Sequence, residues 1–276
     1  MKLANMDSAS WLQESYSLLS QRAGARKNWP QLGFCDPAAQ IVLDRLNAGI
    51  RYLQPVSTPS DCIALKRSQW MDHRCQQFFA RYPHALCVEL GAGFSTRFHR
   101  LSELADWPRF RWLEVDTAEV IQQKAKLLPA IDNYELVAAN IVEGDWLAHW
   151  QGEPLIIVLE HRLMFMSQAE VQHVFARIAK HVQGRAPVEI VFDYLSPATL
   201  FWAHLKSLCG MATAPAYRSS LRSAQELCDI DPCYRVLRDM DIRTQDTFWQ
   251  SCSSAIYQRI SGGLYLQACA SVSIPA

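Results

Sequence analysis

The chain carries no excess of charge: 27 Lys and Arg stand against 27 Asp and Glu in 276 residues. That balance leaves no electrostatic footprint for nucleic acid or for an anionic membrane surface, so neither is expected as a partner. Also missing is any apolar run near the roughly 18 residues of a membrane span. The amino terminus, MKLANMDSASWLQESYSLL, lacks the apolar stretch and small-residue cleavage site of a secretory signal, and a cytoplasmic protein is expected. The nine cysteines include no C-x-x-C pair. Cys228 and Cys233 are the closest and have no flanking histidine pattern, so reduced, mostly structural thiols are expected and no metal site. No internal repeat or low-complexity tract is present.

Hydrophobic residues make up 50% of the chain, enough to bury the core of one large α/β domain with a helical elaboration. The first 84 residues show helical patterning over Trp11–Ala23, Pro37–Ile50 and Ile63–Tyr82. Asp36 is placed to cap the second helix, and Pro37 fits its first position. From Leu86 the pattern changes to short apolar runs alternating with helical periodicity: LCVEL, FRWLEV, YELVAA, PLIIVLE and VEIVFDY. Five such runs predict a parallel sheet covered on both faces. Ser167 and Glu170 form a capping box for a helix whose Val171, Val174, Phe175 and Ile178 share one face. A further helix follows Pro197, then a less regular segment over 211–240. A strand pair around Ile242 and GLYLQACASV is expected to close the sheet in antiparallel fashion. The division predicted is a helical cap over 1–84 and a core over 85–276, elaborated at about 197–240.

Ligands of open α/β sheets sit at the carboxyl ends of the strands, near the point where strand order reverses. Glu89-Leu90-Gly91-Ala92-Gly93 ends the first strand, and its glycines allow backbone to approach a ligand closely. Asp116 ends the second, where a carboxylate can accept from both hydroxyls of a ribose. A dinucleotide turn, G-x-G-x-x-G, requires a third glycine where this chain has Thr96. An adenosine ligand without a pyrophosphate is favoured, S-adenosylmethionine being the obvious case.

Taken in order, FCDPAAQ, ALKRSQWMDHR, VELGAGFSTRFHRL, RWLEVDTAEVIQQKAKLL, AANIVEGDW and PLIIVLEHRLMFMSQAEV resemble the leucine carboxyl methyltransferase-like family. Its bacterial members include polyketide O-methyltransferases. The resemblance runs with gaps from about Ser17 to about Tyr194 and is loose in the carboxyl-terminal third. It implies a class I S-adenosylmethionine-dependent methyltransferase: a Rossmann-like, mostly parallel seven-stranded sheet with an amino-terminal helical lid. It further implies that Arg67 pairs with the methionine carboxylate of the cofactor, with Arg22 closing over the same end. Glu89, Gly91, Ala92 and Gly93 belong to the loop beneath the cofactor, Asp116 takes the ribose, Asn140 and Ile141 the adenine, and Glu160 lies near the reacting methyl. Three positions depart from the family. Asn140 stands for an aspartate, Ser95 for another after the glycine loop, and His161 for a glycine after Glu160.

The acceptor implied is a small molecule of a biosynthetic, natural-product type, methylated on a carboxylate or phenol oxygen. A carboxylate is ionised near neutral pH, whereas a phenol, with a pKa near ~10, gains from a general base. His161 is a candidate for that base, and Tyr194 a candidate for the wall of the site. Either is also open to a purely structural role, as are Glu160 and the run from Leu163 to Met166. The rival activities are methylation of a protein carboxyl terminus, a nicotinamide-dependent oxidoreduction and a non-catalytic relative that retains the fold.

Overall fold

The computed structural model describes residues 8–47, 59–103, 109–209, 217–242 and 248–276. Three helices come first: α1 (Ser8–Asn28), α2 (Pro37–Asn47) and α3 (Pro59–Arg81). The alternating part comprises β1 (Leu86–Leu90), α4 (Arg97–Ser102), β2 (Arg111–Asp116), α5 (Ala118–Ala125), β3 (Tyr134–Ala138) and β4 (Leu155–Leu159). It continues through α6 (Gln168–Val182), β5 (Val188–Leu195), α7 (Pro197–Leu208), α8 (Glu226–Ile230), β6 (Arg235–Asp241), α9 (Phe248–Ser261) and β7 (Gln267–Ile274).

The seven strands lie in the order β3-β2-β1-β4-β5-β7-β6. Strands β1, β2 and β3 are parallel neighbours, while β7 runs antiparallel to both β5 and β6. Chain order therefore reverses at β1, the point at which sheets of this kind take ligands. Every residue of β1, β4 and β5 is buried, which is why β4 reads as continuously apolar and β1 and β5 nearly so, broken only by the buried acids Glu89, Glu189 and Asp193.

Two compact units make up the chain, one comprising Asp7–Ile156 and the other chiefly Ile157–Ala276. In the first, α1 and α2 pack through Tyr16, Leu19, Ala39, Val42, Leu43 and Leu46, and Phe94 from the turn after β1 joins them. Burying a Phe ring of this kind contributes roughly 1.5–3 kcal/mol, so the turn is held to the helices by its own side chain. Asp36 caps α2 as expected, its Oδ1 accepting from the Ala39 N–H at 2.9 Å. In the second unit the capping box of α6 is complete: Ser167 Oγ accepts from the Glu170 N–H at 3.2 Å, and Glu170 Oε2 from the Ser167 N–H at 2.6 Å.

Several boundaries differ from expectation. The last residues assigned to the second helix, 48–50, lie outside the described residues, as do 211–216 of the irregular segment. The penultimate strand precedes Ile242 and covers Arg235–Asp241; an edge strand with mixed polar exposure and a bulge between Val236 and Arg238 leaves little alternation to read. The helix after the glycine turn starts at Arg97, with the Ser95 and Thr96 hydroxyls before it donating to the buried carboxylates of Glu89 and Asp36. Helix α9 is an addition to the expected elements. Among the described residues no helix is long and apolar enough to cross a membrane.

Candidate ligand site at the ends of β1 and β2

Gly91 and Gly93 hold φ of 69° and 53°, the left-handed region that glycine adopts without steric cost. Their N–H groups point across to β2: Gly91 donates to the Val115 carbonyl at 2.8 Å, and Gly93 to Asp116 Oδ2 at 2.7 Å. A Cβ on Gly93 would stand 2.8 Å from Ser15 Oγ, so the turn lies flat beneath α1. Asp116 is 1% exposed and accepts three donors. Besides Gly93 these are the Thr117 N–H on Oδ1 at 2.7 Å and the Trp11 indole N–H, 3.0 Å from Oδ1 and 3.3 Å from Oδ2.

Beneath the turn lies a buried ionic chain. Glu89 and Glu114 are register partners on β1 and β2, and each has its own cation, Arg97 and Lys124. Arg97 Nε also reaches Asp72 Oδ1 at 2.6 Å. Arg100 joins Asp72, at 2.9 Å, to Asp36, and Arg22 Nε stands 3.7 Å from Asp36 Oδ2. Thr96 Oγ1 donates to Asp36 Oδ2 at 2.6 Å. Burial is the largest influence on Glu114 and pushes its carboxyl up, with Lys124 pulling the other way and Glu89 reinforcing the rise. Burial also raises Asp36, but there Arg100 and Arg22, with the Thr96 hydroxyl and the Ala39 N–H, prevail and hold it below the ordinary carboxylate range.

This geometry sorts the residues of the first unit that the sequence singled out. Asp116 and the Gly91-Ala92-Gly93 turn come together at one strand end. Glu89 precedes the turn, and its carboxylate takes Arg97 and the Ser95 hydroxyl (3.1 Å). Arg22 is buried and donates from Nη2 to the Phe94 carbonyl at 2.9 Å. Arg67 is 2% exposed on α3. Asn140 Oδ1 accepts from the Val142 and Glu143 N–H groups at 2.7 and 3.1 Å. It thereby makes an Asx turn. Ile141 is buried beside it, its carbonyl accepting from the Trp146 indole at 2.9 Å.

In the second unit Glu160 and His161 come directly after β4. His161 has φ of 51°, the only described non-glycine residue with positive φ, and this explains why a glycine is usual there. Its N–H donates to the fully buried Asp193 Oδ1 at 2.6 Å, and its ring meets Phe165 edge-on with centroids 5.2 Å apart. Tyr194 is buried at the end of β5. Its hydroxyl donates to Asp239 Oδ1 at 2.8 Å, and burial together with that carboxylate drives its pKa far up, so the group keeps its proton.

Sequence reasoning missed Trp11 and the acids Asp36 and Asp72 as members of this assembly. The signal for Trp11 was present, since Trp11, Ser15, Leu19 and Arg22 recur at helical spacing on one face of α1, and all four are buried.

With these features in place, comparison with known proteins is decisive for one segment. Residues 59–179 match the leucine carboxyl methyltransferase family. That stretch runs from α3 to α6 and contains the glycine turn and Asp116, and it shows the resemblance expected from the sequence. Tetracenomycin polyketide synthesis O-methyltransferase TcmP of Streptomyces glaucescens is 26% identical over 184 residues, 66% of this chain and 65% of that protein. Among solved structures, a Thermobifida fusca protein with an inferred methyltransferase activity superposes with a TM-score of 0.58 at 14% identity, covering 95% of this chain and 94% of that one. Magnesium protoporphyrin IX methyltransferase of Synechocystis, solved with bound S-adenosylhomocysteine, gives 0.51 at 14% identity, covering 93% and 100%. The fold is that of class I methyltransferases.

Proposed function

We propose that this chain is an S-adenosylmethionine-dependent O-methyltransferase whose acceptor is a small molecule bearing a carboxylate or a phenol. The observation that carries the reading is the placement of Asp116 at the end of β2 with its carboxylate 2.7 Å from the N–H of Gly93 in a glycine turn of positive φ. A buried acid beside a turn that admits backbone contact suits a ribose diol. Thr96 supports an adenosine ligand over a dinucleotide: its hydroxyl is committed to Asp36, and the turn lacks the glycine that a pyrophosphate requires. The family match over 59–179 and the TcmP likeness support methyl transfer to oxygen.

In this reading Asp116 holds the ribose, Gly91, Ala92 and Gly93 run beneath the cofactor, and Ile141 adjoins the adenine. Arg67, with Arg22 behind the turn, supplies positive charge toward the methionine carboxylate. The cofactor supplies an activated methyl on a sulfonium, so the protein's contribution is chiefly to align an acceptor oxygen and exclude water. An ionised carboxylate needs no base; for a phenol, His161 is the candidate.

The test is incubation of the purified protein with methyl-labelled S-adenosylmethionine and a panel of small carboxylic acids and phenols. Label appearing on the oxygen of a panel member, with release of S-adenosylhomocysteine, is the expected result. Cofactor binding without transfer to any acceptor, including protein carboxyl termini, counts against catalysis.

A further inference from the structure

Asp116 already makes, within this chain, the contact that the proposed function assigns to a ribose. A carboxylate offers about four acceptor positions. Gly93 and Thr117 take one on each oxygen through their N–H groups, and the Trp11 indole N–H bridges the two oxygens at 3.0 and 3.3 Å. The bridged edge is the one a vicinal diol would use. Trp11 is 4% exposed and Asp116 1%, so the pair is closed to water.

Helix α1 is seated on the turn through several of its buried residues. Ser15 packs on Gly93, Tyr16 stacks on Phe94 with centroids 5.0 Å apart and planes 14° apart, and Arg22 donates to the Phe94 carbonyl at 2.9 Å. Tyr16 also donates from its hydroxyl to Gln123 Oε1 at 2.6 Å. These contacts fix the register of the helix and bring Trp11, one turn before Ser15, over the acid.

We propose that Trp11 is an internal competitor for the ligand carboxylate: the indole N–H caps Asp116 in the ligand-free protein, and adenosine binding displaces it. The inference rests on the proposed function, since it takes Asp116 as the ribose acid. Displacement is a population shift, in which the affinity observed is the intrinsic one reduced by the fraction of molecules with Trp11 withdrawn. A chain that cannot cap the acid binds more tightly; were the indole part of the ligand's own binding surface, the same chain would bind less tightly.

The experiment uses the full chain, wild type and Trp11→Phe, the latter keeping an aromatic ring in the α1 interface while losing the N–H. Each is titrated calorimetrically with S-adenosylhomocysteine. In parallel the indole N–H resonances of the wild type are monitored by NMR, with the Trp11 signal assigned by its loss in the variant. The expected result is about tenfold tighter binding by W11F, the worth of a hydrogen bond to a charged group, and an upfield shift of the Trp11 signal with faster solvent exchange on ligand addition. Equal or weaker binding by W11F, or a Trp11 signal that holds its position in saturated wild type, overturns the proposal. Where W11F fails to fold, the wild-type indole resonance, assigned instead through its connectivity to the sequentially assigned backbone, decides. Absence of binding by both folded chains overturns the proposed function, and the competitor role falls with it.

Discussion

Glu89 and Glu114 stand side by side in register on β1 and β2, both buried, and each is neutralised by its own cation, Arg97 from α4 and Lys124 from α5. Two carboxylates at neighbouring positions of a buried sheet would repel, and the helix after each strand supplies the opposing charge. The glycine turn is therefore supported from below by an ionic layer and covered from above by α1.

The first prediction concerns that layer. Removing Arg97 leaves Glu89 without its cation in a buried site, so Arg97→Met is expected to cost about 3–5 kcal/mol in urea unfolding. The double variant with Glu89→Gln is expected to recover part of that loss, because the uncompensated charge is gone. A single variant within error of wild type would show the pair to be dispensable.

His161 provides a second. Its left-handed backbone is costly for any residue with a Cβ, by about 1 kcal/mol or more. His161→Gly should therefore be more stable than His161→Ala by about that amount, against the usual order of these residues. Equal unfolding midpoints would mean that the turn relaxes to a negative φ.

Tyr194 yields a third. Its hydroxyl serves Asp239, so Tyr194→Phe is expected to lower stability by about 1–2 kcal/mol while leaving turnover unchanged, measured by unfolding and by initial rates. A collapse in turnover with stability intact would restore the catalytic role.

A fourth comes from His99, whose pKa burial lowers from 6.5 to about 4, with Lys124 adding to the fall. The unfolded chain takes up a proton below about pH 6.5 and the folded chain does not until about pH 4. His99 thus favours the fold above pH 6.5, and this is lost progressively between those values. His99→Asn should flatten the dependence of the urea midpoint on pH across that window; an unchanged slope would remove His99 as its source.

Much of this was legible in the sequence, for identifiable reasons. β1, β4 and β5 are buried on both faces and so appear as mostly apolar runs, while the capping box at Ser167 and the cap at Asp36 are local signals that the structure satisfies locally. Gly91, Gly93 and Asp116 stand out because strand-end chemistry is compact in sequence. What escaped depends on distance along the chain. The bond between Trp11 and Asp116 joins residues 105 positions apart, and the ion pair between Asp36 and Arg100 joins residues 64 apart. The ionic partner of Glu89 escaped for a related reason, since Arg97 comes from the next helix and looks like an ordinary surface charge in sequence. The edge strand β6, half exposed and bulged, carries no clean alternation at all.

The central claim is that Asp116 and the glycine turn hold an adenosine cofactor. The most direct measurement is calorimetric titration of the wild type with S-adenosylmethionine beside Asp116→Ala. The account predicts saturable binding by the wild type and at least about tenfold weaker binding by the variant, the loss of charged hydrogen bonds to a ribose. A folded wild type that binds no S-adenosylmethionine, or a variant that binds as well as wild type, would contradict it.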